Sequence, residues 1–264
     1  MTNRSVQLPN DGMAAMKRAA FVTGGASGIG LSICEHLARA GHGVAVADRN
    51  GDGAEAVAKA IRDGGGQAIA AAVDVSDRSQ VDKAVQAARN EFGPIGILVT
   101  SAAVSRREPF QEMTTESWQQ VIGVNLTGTF HCVQAVIGDM TEAGWGRVVL
   151  ISSSSAQRGA ARMTHYAASK GGVIAFGKAL ALEFASRGIT VNNIAPSAIY
   201  TPMVAQQQAA GAVPAREAMA RGVPVGRMGT GDDVAAACMY LVSEEASYVT
   251  GQTVSVNGGS FVGW

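Results

Sequence analysis

Residues 18–30 read RAAFVTGGASGIG, and this stretch decides the fold. Segment 18–23 is a short strand pattern that runs straight into glycines. Beyond them Ile29, Ile33 and Leu37 recur at four-residue spacing until Gly41, which predicts a helix over 29–41. Thr23–Gly30 is therefore a strand-to-helix turn. Gly24 permits the tight turn, Gly28 lets backbone approach a phosphate with no Cβ in the way, and Gly30 lets the helix pack close to the strand. Ser27 and Ile29 sit where the helix begins, and its free N–H groups and positive dipole end suit a pyrophosphate.

The pattern repeats outward from that turn. Segment 43–48, GVAVAD, is a nearly continuous apolar run, as in a strand buried on both faces. A helix over 51–63 stops at Gly64-Gly65-Gly66, and strand 67–73 and helix 77–92 follow. Then come strand 95–100, a long helix near 115–142, strand 147–152, helix 164–187 and strand 189–195. A loop with helices near 197–221, helix 231–243 and strand 252–256 complete the chain. Such regular alternation predicts an α/β fold, a Rossmann-like doubly wound parallel sheet in a single domain over 18–264. Residues 1–17 read as a poorly ordered leader without the apolar core of a secretory signal.

Composition narrows the function. The 264 residues are 47% hydrophobic and 16% charged, with 21 basic and 21 acidic side chains. Zero formal net charge gives no basic excess for nucleic acid or an anionic membrane, and no apolar run of membrane-spanning length stands out. Cys34, Cys132 and Cys238 are far apart in apolar contexts and read as buried free thiols of a cytoplasmic protein. The four histidines have no metal-binding spacing, so no metal site is expected.

Asp48 closes the second strand, 24 positions after Gly24. A carboxylate near that offset binds the adenosine ribose hydroxyls and repels a 2′-phosphate, which favours NAD over NADP. Arg49 beside it points the other way, since a guanidinium accepts a 2′-phosphate.

Further motifs extend the picture. Thr-Gly-x-x-x-Gly-Ile-Gly at 23–30 and Tyr166-Ala-Ala-Ser-Lys170 resemble the signatures of the short-chain dehydrogenases/reductases. Ser153 stands thirteen residues ahead of Tyr166, as in that family, and Asn125 in Val124-Asn125-Leu126-Thr127-Gly128 matches its asparagine segment. Asp74-Val75 resembles its adenine-contacting pair, and Val191–Pro196 with Thr201-Pro202-Met203 its nicotinamide-flanking segment. The resemblance spans about residues 18–260. It departs from the family at Thr100-Ser101-Ala102-Ala103, where Asn-Asn-Ala-Gly is usual, and at Pro196-Ser197, where Pro-Gly is usual.

The resemblance implies an oxidoreductase that interconverts a secondary alcohol and a ketone. Tyr166 and Lys170, one helical turn apart, share a face, and an ammonium near a phenol favours its ionised form. By resemblance, Tyr166 moves the proton, Lys170 also holds the nicotinamide ribose, Ser153 bonds the substrate oxygen and Asn125 sustains a water relay. It further implies cofactor contacts from Ser101, Ala102, Pro196, Ile199 and Thr201, a lid over about 197–225, and a homotetramer; Met203, Met219 and Met228 in or near that segment read either as an adaptable apolar cover for the substrate or as plain packing. Two alternatives stand beside this: an NADP(H)-dependent 3-oxoacyl-thioester reductase, and a catalytically silent nucleotide-binding regulator on the same fold. His165 is expected to line the pocket or an interface, and Trp118 and Trp145 to pack.

Overall fold

The computed structural model describes residues 17–262. The leader predicted over 1–17 therefore lies outside the described residues apart from Lys17, as does the terminal Trp264. In chain order the elements are β1 (Ala19–Thr23), α1 (Gly28–Arg39), β2 (Gly43–Asp48), α2 (Gly51–Asp63), β3 (Gln67–Ala72), α3 (Arg78–Phe92) and β4 (Ile95–Thr100). There follow α4 (Thr115–Ile122), α5 (Gly128–Ala143), β5 (Gly146–Ile151), α6 (Ser154–Arg158), α7 (Thr164–Phe184) and β6 (Ile189–Pro196). The last elements are α8 (Pro202–Ala209), α9 (Arg216–Arg221), α10 (Gly231–Val242) and β7 (Thr253–Val256).

The seven strands form one parallel sheet in the order β3-β2-β1-β4-β5-β6-β7. This is the predicted doubly wound α/β architecture, and the strand order reverses between β1 and β4. Alternate strand residues serve opposite layers. Ala20, Val22, Val44 and Val46 pack with α1, α2 and α10 through Ile33, Leu37, Ala58 and Leu241. Phe21, Ala45, Leu98 and Leu150 pack with α3, α5 and α7 through Val85, Val136, Met140 and Val173. Both faces of the sheet are thus covered, which is why inner strands such as β2 and β4 read as nearly continuous apolar runs.

Three expectations need adjustment. The single helix expected near 115–142 is interrupted by a π-helical turn at Gly123–Thr127. By length and composition the whole helical run Thr115–Ala143 is apolar enough to cross a membrane, contrary to the expectation that no run of that length stands out. Its Cys132, Val133, Val136 and Met140 belong instead to the core beneath the sheet. Trp118 is 39% exposed rather than packed inside, whereas Trp145 is stacked between the guanidinium groups of Arg18 and Arg147, 4.2 and 4.4 Å from its ring centre. The three cysteines are free and buried, as expected, and burial pushes the Cys132 and Cys238 thiols up to about 12.

Candidate active site

A cavity of about 480 Å³ opens at the carboxyl ends of the strands, where the strand order reverses. Its floor is the glycine turn. Gly24 is left-handed (φ +69°), and a Cβ there would lie 2.8 Å from the Ala102 nitrogen. The loop after β4 is held just above it, because Thr23 Oγ1 accepts the Ser101 and Ala102 N–H groups at 3.1 and 3.2 Å. A Cβ on Gly30 would come within 2.1 Å of the Gly24 carbonyl oxygen, so α1 packs as closely as the sequence reading required. The Ser27 side chain makes no capping bond at the start of α1. The first N–H groups of a twelve-residue helix are thereby left to the cavity, and a nucleotide pyrophosphate fits this cradle.

Gly24, Ser27, Gly28, Ile29, Asp48 and Arg49 all line the cavity, and so do Asp74, Val75, Ser101 and Ala102. Across from them stand Pro196, Ile199 and Thr201, with Thr201 packed 3.4 Å from where a Gly28 side chain would begin. Gly30 does not reach the cavity and acts only through packing. The departure at Pro196-Ser197 has a local answer: Ser197 keeps ordinary angles, and the left-handed residue is Ala198 (φ +51°).

Ser153, Tyr166 and Lys170 line the same cavity. Ser153 caps α6 just past the end of β5, its Oγ accepting the Ser155 N–H at 3.1 Å. Ser152 is diverted, its hydroxyl donating to the Lys170 carbonyl at 3.0 Å. Lys170 is 2% exposed, and its Nζ donates to the Ile151 carbonyl at 2.7 Å and lies 6.0 Å from the Tyr166 ring centre. Burial pulls the Lys170 ammonium down to about 8. Burial also holds the Tyr166 phenol above its ordinary value, against a hydrogen bond from Ser153 that lowers it. The lowering expected from Lys170 does not emerge: burial dominates, and the one opposing influence is the Ser153 hydroxyl.

Asn125 does not line the cavity. It is fully buried inside the π-helical turn, its Oδ1 accepting the Val104 N–H at 2.8 Å. Its Nδ2 donates to the Val104 carbonyl and to Ser169 Oγ, each at 3.0 Å. The side chain thereby ties the loop after β4 to α7, one residue from Lys170. His165 does not reach the cavity either: it is buried with Nε2 3.1 Å from Glu108 Oε1, off the line of a good hydrogen bond. Of the methionines expected around the substrate, Met203 and Met219 line the cavity, while Met228 is a core residue. The wall also carries residues the sequence did not mark, among them Val104, Ser105, Arg107, Arg158, Met163 and Gln207. Only the doubled arginine at 106–107 was a visible signal, and its loop has no periodicity to orient it.

Comparison with known proteins supports one family. The sequence profile of the family described as enoyl-(acyl carrier protein) reductase matches residues 24–260. An acetoacetyl-CoA reductase of Rhizobium meliloti is 39% identical over 93% of this chain and 99% of its own length. A D-threitol dehydrogenase of Mycolicibacterium smegmatis is 38% identical over 92% of each chain. Among solved structures, a single-site variant of an actinorhodin polyketide ketoreductase with NADPH superposes with a TM-score of 0.89 at 35% identity, covering 92% of this chain and 97% of that one. This NADPH-bound relative corrects the expectation of NAD, which rested on Asp48. The structure supplies a physical reason why that residue was over-read. Its two carboxylate oxygens accept backbone N–H groups of Ala26 (3.1 Å) and Asn50 (2.9 Å), so the turn after β2 already accounts for an acid there. From the strand order, the glycine cradle and matches along nearly the whole chain, the protein is an NAD(P)-dependent oxidoreductase of the short-chain dehydrogenase/reductase family.

Proposed function

We propose that the protein interconverts a ketone and a secondary alcohol with NADP(H), and that Tyr166 gives or takes the proton at the substrate oxygen. One observation carries this reading: Ser153, Tyr166 and Lys170 share one cavity with the glycine cradle, and Lys170 is buried there with a backbone carbonyl as its partner. The bound nicotinamide supplies the hydride. Ser153 offers its hydroxyl to the substrate oxygen and steadies the charge that develops on it. When Tyr166 releases its proton in ketone reduction, the phenolate forms beside the Lys170 ammonium, which stabilises it. Asn125 acts by positioning, since it links the cavity loop at Val104 to α7 at Ser169.

NADP(H) is supported by the NADPH-bound relative and by Arg49, an exposed guanidinium on the cavity wall suited to a 2′-phosphate. The names of relatives that act on acetoacetyl-CoA and 3-oxoacyl-carrier-protein favour a 3-oxoacyl thioester as the ketone. The segment 197–225, which carries α8 and α9, serves as the lid, and Thr201 and Met203 meet the cavity at its start.

The test is Tyr166→Phe. The variant is expected to bind NADPH as the wild type does, by fluorescence titration, while ketone reduction falls by about a thousandfold. Equal rates for both proteins would remove Tyr166 from the chemistry. A wild type that binds NADPH but reduces nothing in a broad ketone panel would favour the silent regulator.

A further inference from the structure

We infer that the substrate carries an anionic group, phosphate or carboxylate, away from its reacting carbonyl, and that Arg107 and Arg158 receive it. This rests on the reading of Tyr166 as the reacting end of the cavity. The acids on the cavity wall, Asp48 and Asp74, both lie on its cofactor side and are engaged locally. Asp48 accepts two backbone N–H groups, and Asp74 accepts the N–H and hydroxyl of Ser76 at 2.9 and 2.6 Å. The rest of the wall, away from that cofactor side, includes Ser105, Arg107, Arg158, Met163, Gln207 and Met219, and apart from the buried Lys170 its charged groups are these two arginines, with no acid. The chain as a whole has no net charge, so this local excess is a property of the site.

Arg62, Arg78, Arg89, Arg147 and Arg227 each meet a carboxylate. Among the described residues, Arg107 and Arg158 form no such pair. The nearest acid in sequence, Glu108, is engaged elsewhere: Ser117 Oγ donates to it and His165 Nε2 faces it at 3.1 Å. The same residue joins the two arginine-bearing segments, since the Glu108 N–H donates to the Arg162 carbonyl at 2.9 Å. Arg107, on the loop after β4, and Arg158, at the end of α6, are thus exposed, without a carboxylate partner, and carried by two stitched segments around one opening. Guanidinium forks match phosphate and carboxylate oxygens, and the methionines supply an apolar wall for the carbon chain between the two ends.

Three probes sharing one reacting group test this: acetoacetyl-CoA with its phosphates, acetoacetate with its carboxylate, and neutral ethyl acetoacetate. kcat/KM is measured with NADPH for wild type, R107Q, R158Q and R107Q/R158Q, with thermal melting to establish that each is folded. The ratio of anionic to neutral kcat/KM is expected to fall roughly tenfold or more in the double variant. In the wild type it falls as added salt shortens the Debye length from about 30 to about 8 Å. A fall confined to acetoacetyl-CoA assigns phosphate, and one confined to acetoacetate assigns carboxylate. Ratios within about twofold of wild type for both anions overturn the inference. Calorimetric binding of coenzyme A and of acetoacetate to the NADP+-saturated protein needs no turnover. A Kd weakened about fivefold or more in the double variant supports the site; equal Kd values, or binding of neither anion to wild type, overturn it. If the wild type reduces none of the three ketones, the reading of Tyr166 fails, and the calorimetry still decides the anion site.

Discussion

Replacing Lys170 by Met is expected to make the cofactor-free protein more stable while ending its turnover. Lys170 is 2% exposed, and burial pulls its ammonium from an ordinary 10.5 down to about 8. At 1.36 kcal/mol per unit, holding the charge inside the fold costs about 3 kcal/mol at neutral pH. Met has similar volume and no charge, so it removes that penalty. It also removes the hydrogen bond to the Ile151 carbonyl, which returns about 1 kcal/mol. The net gain is about 2 kcal/mol, or about 5 °C in Tm for a chain of this size. The pH dependence carries the sharper signature. Between about 8 and 10.5 the unfolded chain holds a proton on Lys170 that the folded chain has released. Wild-type stability, relative to the variant, therefore climbs with pH across that window, and the penalty is full below it. Urea unfolding of both proteins at several pH values reads the difference directly, because all other titrating groups cancel. A variant no more stable than wild type at neutral pH, or a gap that stays constant to alkaline pH, would refute the reasoning.

Gly30→Ala should destabilise by about 3 kcal/mol or more, since its Cβ meets the Gly24 carbonyl oxygen at 2.1 Å and both partners are backbone; urea unfolding and NADPH titration read the two losses together. Asn125→Ala removes both bonds to the half-buried Val104 amide and carbonyl and the one to the buried Ser169, so a loss of about 3 kcal/mol is expected by the same unfolding assay. Ala198→Gly relieves a left-handed alanine (φ +51°), worth about 1–2 kcal/mol, against about 0.5–1 kcal/mol of added backbone entropy. A small rise in melting temperature follows, and a fall would show that the Ala198 side chain packs usefully.

The inner strands were legible because each is buried on both faces, so its residue types largely mark it, and the glycine turn because no other residue fits where Gly24 and Gly30 sit. Tyr166, Lys170 and Ser153 were legible as spacing, and the fold brings them to one cavity. What failed to show was set by contacts distant in sequence. Nothing in Gly123–Thr127 forbids an α-helix; the π-helical turn accompanies the bonds that bring Asn125 to Val104 and Ser169. Ser152 and Ser153 are equal neighbours in the sequence just beyond β5, and only a cap and a bond to Lys170 distinguish them. Asp48 was over-read because a strand-end acid serves a turn as readily as a ribose, and only the structure shows the Ala26 and Asn50 amides on its oxygens.

The places where local rules are broken locate the site independently of any motif. Among the described residues, the non-glycine left-handed angles fall at Arg162 and Ala198. Ala198 is on the cavity wall and Arg162 directly precedes Met163, which is also there. The π-helical turn contains Val124, a wall residue, and Lys170 is a buried cation that donates to a backbone carbonyl. Each of these departures costs stability, and a fold that minimised its energy alone would discard them. They come from separate stretches of chain that share little except one opening. A cavity that gathers this much uncompensated strain and charge is held in that form by its use. This is why Lys170→Met and Ala198→Gly are expected to add stability, whereas Gly30→Ala and Asn125→Ala, which attack the scaffold beneath the same cavity, remove it.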